Sequence, residues 1–255
     1  MDGLFELSGR VAIVTGGSRG IGRAISIGFA NAGADLVITA RTASACQETI
    51  SEIEKLGRRA VAVSCEMSKP SDVEHLVERA YDEFGHCEIL VNNAGVTQDV
   101  LPLSEMSQQF FDTVQAINVN APMQLATQVA KRMAAAGGGS IINIISTAAL
   151  EPVGHMAAYS VSKTALRALT RVMAEEWAST GIRVNAIAPG PVMTDMMSEM
   201  EEKMPGFLEQ AAGNTLLGRI AEPAELVGPA IFLAADASSY MTGQTLAICG
   251  GVLKT

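Results

Sequence analysis

Tyr159 and Lys163 stand four positions apart in a stretch with helical periodicity, and Ser146 lies thirteen residues before the tyrosine, at the end of a β-branched run. On a helix, positions i and i+4 share one face about 6 Å apart along the axis, which places Lys163 beside Tyr159. A free phenol ionises near pH 10, too high for a useful base at neutral pH, and a neighbouring ammonium favours the phenolate. A serine hydroxyl near both can hold a carbonyl oxygen. The trio suits proton exchange with an alcohol or a ketone. A tyrosine and a lysine at this spacing are common by chance, so the assignment depends on what else the chain carries.

A second group of residues suits an anion. Thr15-Gly16-Gly17-Ser18-Arg19-Gly20-Ile21-Gly22 joins a short apolar run to an amphipathic one. Glycines permit positive φ and close backbone approach, and a helix N-terminus offers N–H groups to a phosphate. The spacing is Gly-x-x-x-Gly-x-Gly, and on its own it could be only a tight turn. After the second apolar run comes Ala40-Arg41-Thr42. A carboxylate there would accept the ribose hydroxyls of NAD, whereas a 2′-phosphate repels an acid and takes a cation. With no acid at this point, Arg41 and Arg19 as planar donors favour NADP(H), the alternative being two solvated surface arginines.

The elements that must hold these residues alternate between short β-branched runs and longer amphipathic stretches. Strands are predicted over Arg10–Thr15, Asp35–Ala40, Ala60–Ser64, Glu88–Asn92, Ile141–Ile145, Ile182–Ile187 and Thr245–Ile248. Helices are predicted over Ile21–Ala32, Ala43–Gly57, Ser71–Phe84 and Ala157–Ser179, with Gly137-Gly138-Gly139 stopping a helix before the fifth strand. Seven strands with intervening helices imply an α/β fold with a doubly wound parallel sheet covered on both faces. A (β/α)8 barrel also alternates in this way, but the glycine-rich turn directly after the first strand is where an open dinucleotide-binding sheet holds its pyrophosphate. No linker or internal repeat divides the chain, so residues 1–255 read as a single domain. Residues 193–218, rich in Met and Glu, are either a solvated helix pair or a lid over a substrate pocket.

Composition narrows the function classes. At 255 residues, 48% of them hydrophobic, the chain has ample material for a core. Eighteen basic against 27 acidic residues give a net charge of −9, which argues against a general nucleic-acid binder but not against a local pocket for one phosphate. Cys46, Cys65, Cys87 and Cys249 form neither a CxxC nor a zinc-ligand spacing, and the histidines are scattered, so no metal is expected and the thiols read as those of a reduced, cytoplasmic protein. No run approaches the ~18 apolar residues of a membrane span. Met1–Arg10, with Asp2 and Glu6, lacks the basic start and apolar centre of a secretory signal.

Taken together, these motifs resemble the short-chain dehydrogenase/reductase family over essentially the whole chain. The matching residues are Thr15–Gly22, Asn92-Asn93-Ala94-Gly95, Asn118, Ser146, Tyr159, Lys163, Pro189-Gly190-Pro191-Val192-Met193-Thr194 and Thr242-Gly243-Gln244. The resemblance implies a Rossmann fold, a nicotinamide cofactor and a homotetramer. It implies Tyr159 as general acid/base, Ser146 orienting the substrate oxygen, Lys163 tuning Tyr159 and binding the nicotinamide ribose, and Asn118 passing protons through a water. For the cofactor it implies Gly16, Ser18, Arg19, Gly20, Ile21, Gly22, Arg41, Glu66, Met67, Asn93, Ala94 and Gly95, with Tyr159, Lys163, Pro189, Gly190, Val192 and Thr194 toward the nicotinamide end. Pro122 has no N–H to donate to the carbonyl of Asn118 four residues back, whether it interrupts a helix or begins one, and this favours a water there.

Three positions depart from the family pattern: Glu66 in place of a shorter Asp at the adenine, Ile145 before the catalytic serine, and Cys249 in place of an Asp. The expected activity is NADP(H)-dependent interconversion of a secondary alcohol and a ketone. Sugar or polyol dehydrogenases and 3-oxoacyl-acyl-carrier-protein reductases read most alike, and a non-catalytic NADP-binding regulator is a further alternative. Such reductases place arginines for their acidic carrier where this chain has Gly137 and Thr180, although Lys131, Arg132, Arg167 and Arg171 could form a local basic patch. His155, four residues before Tyr159, either faces substrate or is a plain loop residue.

Overall fold

The computed structural model describes residues 3–98 and 100–253; the remainder of the expected 1–255 domain, Met1, Asp2, Asp99, Lys254 and Thr255, lies outside the described residues. Its strands are β1 (Val11–Val14), β2 (Asp35–Ala40), β3 (Ala60–Ser64), β4 (Ile89–Asn92), β5 (Gly139–Ile144), β6 (Ile182–Pro189) and β7 (Thr245–Ile248). Its helices are α1 (Gly20–Asn31), α2 (Gln47–Lys55), α3 (Pro70–Phe84), α4 (Gln108–Gln115), α5 (Ala121–Ala136), α6 (Ala157–Trp177), α7 (Asp195–Lys203), α8 (Phe207–Gly213) and α9 (Val227–Ala234). Among the described residues no helix is long and apolar enough to cross a membrane.

All seven strands pair in parallel in the order β3-β2-β1-β4-β5-β6-β7. This is the doubly wound Rossmann arrangement. Alternate residues of each strand serve opposite layers, which is why the strands are near-continuous apolar runs. Ala12, Val14, Leu36, Ile38, Ile89 and Val91 join Ile25, Phe29 and Leu233 on one side. Val11, Ile13, Val37 and Leu90 join Leu76, Leu125, Met133 and Met173 on the other. The connections run in opposite directions on the two sides of β1, so a crevice opens at the carboxyl ends of β1 and β4.

Several element boundaries differ from the periodicity, for local reasons. The helix expected over 43–57 divides into a tight 3-10 turn, Ala43–Cys46, whose Cys46 is buried, and α2; Gly57, at φ +75°, ends it. Strand β6 continues beyond Ile187 because Ala188 and Pro189 pair with Ala247 and Ile248 of β7. Strand β5 starts at Gly139, which pairs with Ile182. Gly137, in the left-handed conformation at φ +100°, caps α5. Residues 195–213 form two short helices, α7 and α8.

Candidate active site

The loops after β1 and β4 are tied together by one hydroxyl. Thr15 Oγ1 accepts from the N–H groups of Asn93 and Ala94, both at 2.9 Å, and Asn93 Nδ2 donates to the Thr15 carbonyl at 2.9 Å. The glycines here are required by space as well as by φ. A Cβ on Gly22 would stand 2.2 Å from the Gly16 carbonyl, and one on Gly95 would stand 3.3 Å from Lys163 Nζ. Gly16 and Gly20 lie at φ +68° and +53°. The first turn of α1 carries no acidic side chain, which leaves its N-terminal N–H groups electrostatically suited to a phosphate.

Arg41 lies just beyond β2, exposed, with its carbonyl held by Ser64 Oγ at 2.7 Å. Arg19 pairs with Asp195 at 2.9 Å across the mouth of the cleft. The Glu66 carboxylate, expected at the adenine, accepts from Ser68 Oγ at 3.3 Å, and Met67 beside it is buried.

Ser146 follows β5 in extended backbone and accepts from the Ala148 N–H at 3.1 Å, and its hydroxyl lies close enough to the Tyr159 phenol to favour the phenolate. Lys163 is only 5% exposed. Its Nζ donates to the Ile144 carbonyl at 2.9 Å and lies 5.8 Å from the centre of the Tyr159 ring. The structure therefore brings together the three side chains singled out by spacing. It also corrects one expectation about them. Burial raises the Tyr159 phenol above its ordinary value, and the group that opposes this is Ser146, not Lys163. Burial also pulls the Lys163 ammonium down to about 8.

Asn118 is fully buried in a π-helical turn, Ala116–Asn120, inserted between α4 and α5, a feature frequent at functional sites. Its side chain accepts from Val96 N–H at 2.9 Å and donates to the Val96 carbonyl at 2.9 Å and to Ser162 Oγ at 3.0 Å. Pro122 stands at the second position of α5, one place later than the first helical position and directly after the π-helical turn, and has no N–H to donate to the Asn118 carbonyl.

At the other end of the cleft, Pro189 closes β6 and a Cβ on Gly190 would meet Cys249 Cα at 2.7 Å. Val192 is buried, and Thr194 caps α7 close to Gly20. The hairpin α7–α8 is stapled by Glu201, which accepts from Gly206 N–H at 2.9 Å and Leu208 N–H at 2.7 Å. Those backbone bonds hold its carboxyl below the usual range.

Sequence spacing missed Ser162, Gln115 and Gln98. Ser162 Oγ donates to the Tyr159 carbonyl at 2.7 Å, and Gln115 Nε2 donates to the Ala158 carbonyl at 3.2 Å. Ser162 lies inside the Tyr159–Lys163 segment, so it was within reach of inspection. The glutamines act across the fold and carry no local signal. Two members of the possible basic patch lie against other parts of the chain. Arg132 stacks on Tyr81 at 4.4 Å, and Arg171 lies against the space over Gly243.

Residues 16–253 match the family model described as Enoyl-(Acyl carrier protein) reductase. The chain is 38% identical to 2-dehydro-3-deoxy-D-gluconate 5-dehydrogenase of Escherichia coli, over 98% of this chain and 97% of that one. It superimposes with a TM-score of 0.94 on the L-sorbose reductase of Gluconobacter frateurii complexed with NADPH and L-sorbose, at 34% identity and 99% coverage of both chains. A 7 alpha-hydroxysteroid dehydrogenase complexed with NADH gives a TM-score of 0.91 at 35% identity, over 97% of this chain and 96% of that one.

Proposed function

The chain belongs to the short-chain dehydrogenase/reductase family, and we propose that within it the protein is an NADP(H)-dependent oxidoreductase interconverting a secondary alcohol and a ketone. The observation that carries this reading is the Ser146–Tyr159–Lys163 cluster, set beyond β5 and next to a glycine cradle that side chains would fill.

The residues present fit a dinucleotide. The first turn of α1 and the Gly16–Gly22 loop, with Ser18 and Ile21, would hold the pyrophosphate; Asn93, Ala94 and Gly95 would line the ribose side. Lys163 would hold the nicotinamide ribose, and Gly190, Val192 and Thr194 would meet the nicotinamide end. The exposed Arg41 cation, without an acid after β2, supports NADP(H) over NAD(H). When bound, the nicotinamide supplies or takes the hydride. Ser146 holds the carbonyl oxygen of the substrate, and Tyr159 gives that oxygen its proton in reduction and takes it back in oxidation. Burial keeps the Tyr159 phenol protonated at neutral pH, as an acid for ketone reduction must be.

Two comparisons support a keto sugar or keto sugar acid as the substrate class: the E. coli relative named for a gluconate derivative and the L-sorbose complex. A carrier-protein thioester is the second reading. The net charge of −9 and the absence of a basic side chain at Gly137 and Thr180 count against it. The single-domain organisation over 1–255, the 193–218 lid, the homotetramer and the cytoplasmic location belong to the same proposal. The test is NADPH absorbance decay with keto sugars, keto sugar acids, acetoacetyl thioesters and simple ketones. Turnover of the sugar substrates above the others is expected. Preference for the thioesters would select the second reading, and turnover of none would leave the NADP-binding regulator in its place.

A further inference from the structure

We infer that Gln98 is a positioning residue for Tyr159, an inference that rests on the acid/base reading of that tyrosine. Gln98 lies three residues beyond the Asn93-Ala94-Gly95 segment that lines the cofactor cleft, and only 2% of it is exposed. Its two side-chain ends engage the other side of the site. Oε1 accepts from the N–H of Tyr159 at 3.0 Å, and Nε2 donates to the carbonyl of His155 at 3.0 Å.

Both partners need it. Tyr159 is the third residue of α6, so its N–H is one of the four that a helix start leaves without an intrahelical partner. Met156, at the N-cap, makes no side-chain capping bond. The cap therefore comes from a loop 61 residues away. His155 is the only non-glycine with positive φ among the described residues, at +63°. Such a backbone persists only where its surroundings hold it. Its carbonyl receives the Gln98 bond and a second one from Leu101 N–H at 3.0 Å.

The start of this loop is fixed as well, by the paired bonds between Asn118 and Val96. Asn118 thus anchors residue 96 and Gln98 carries the connection to the first turn of α6. The loop that lines the cofactor cleft thereby sets where the Tyr159 backbone begins, and with it where the phenol stands relative to a bound substrate. Catalytic geometry of this kind tolerates little error, since a misplacement of about 1 Å can cost about 100-fold.

The test compares Gln98→Met, which keeps length and removes both bonds, with Gln98→Glu, which keeps an acceptor for Tyr159 N–H and loses the donor to His155. Ketone turnover, NADPH affinity by fluorescence titration and the pH profile of alcohol oxidation are measured, with Tyr159→Phe alongside. Gln98→Met is expected to lower kcat by about 10–100-fold while NADPH affinity stays within about twofold and the Tyr159 inflection moves. Gln98→Glu is expected to keep several-fold more kcat than Gln98→Met. The inference is overturned if Gln98→Met keeps kcat, if it loses NADPH affinity in step with kcat, or if the two variants behave alike. Should Gln98→Met fail to fold, Gln98→Asn, too short to reach both partners, takes its place: reduced kcat at unchanged NADPH affinity supports the inference, and unchanged kcat overturns it. A Tyr159→Phe enzyme that stays active overturns the acid/base reading itself. A Tyr159→Phe enzyme that is inactive beside a fully active Gln98→Met removes only the role of Gln98.

Discussion

Arg19, the residue before α1, and Asp195, the first residue of α7, join the glycine loop to the α7–α8 hairpin through a 2.9 Å ion pair, with both side chains more than half exposed. An exposed pair of this kind contributes about 0.2–1 kcal/mol. A phosphate bound at the loop competes with Asp195 for the guanidinium. Asp195→Asn is therefore expected to tighten NADPH by up to about fivefold, with a smaller gain at high salt. Titrations at two ionic strengths check this, and weaker NADPH binding would show that Asp195 supports the site instead of competing with it.

Arg41 has no ion pair to break among the described residues, so its substitution reads directly on the cofactor. A charge-assisted bond to a 2′-phosphate contributes about 1.5–3 kcal/mol. Arg41→Ala should accordingly weaken NADPH by about 10–150-fold while leaving NADH nearly unchanged. Tighter NADH than NADPH binding in the unaltered protein would reverse the cofactor assignment.

The elements that position the site were readable because each strand is buried on both faces. Ala12 and Ile13 point to different layers and both must be apolar, so the run stands out from its amphipathic neighbours. Tyr159 and Lys163 were readable because a helix converts their spacing into adjacency. Gln98 was not readable, because its partners lie 57 and 61 residues away and nothing local marks a capping glutamine that acts on another loop. The direction of the Tyr159 shift was not readable for a related reason. Spacing shows that an ammonium is near the phenol, but not that both are buried, nor that Lys163 donates to the Ile144 carbonyl. Desolvation decides the sign, and desolvation depends on the packed fold.

Lys163 also predicts a conflict between stability and function. Its folded value of about 8 lies below the ordinary 10.5, so below pH 8 the protein bears the full cost of burying the charge, roughly 3 kcal/mol. Between about pH 8 and 10.5 the unfolded chain holds the extra proton, and this cost falls away as pH rises. Lys163→Met removes the charge but leaves the Ile144 carbonyl without its donor, which returns about 1 kcal/mol of the gain. The ligand-free variant is expected to melt about 2–8 °C above its parent at pH 7, with the difference shrinking by pH 10, and to be inactive. Calorimetry at both pH values checks this, and an equal or lower Tm at pH 7 would mean that the lysine is not a buried charge.

The pH dependence of the reaction follows from the Tyr159 phenol being raised, with Ser146 as the group that opposes the rise. Alcohol oxidation requires the phenolate, so its kcat/KM should climb with pH through the ordinary phenol range near 10 instead of levelling off below it. Ketone reduction requires the phenol and should stay flat across neutral pH. Ser146→Ala removes the opposing hydroxyl, so the Tyr159 inflection should move further up and oxidation at a fixed lower pH should slow for that reason, in addition to the loss of the oxygen contact. The Lys163 ammonium contributes its own inflection near 8, which Ser146→Ala leaves in place. Profiles of both directions in the two proteins separate the groups. An oxidation profile in which Ser146→Ala moves no inflection would assign the transferred proton to a group other than Tyr159.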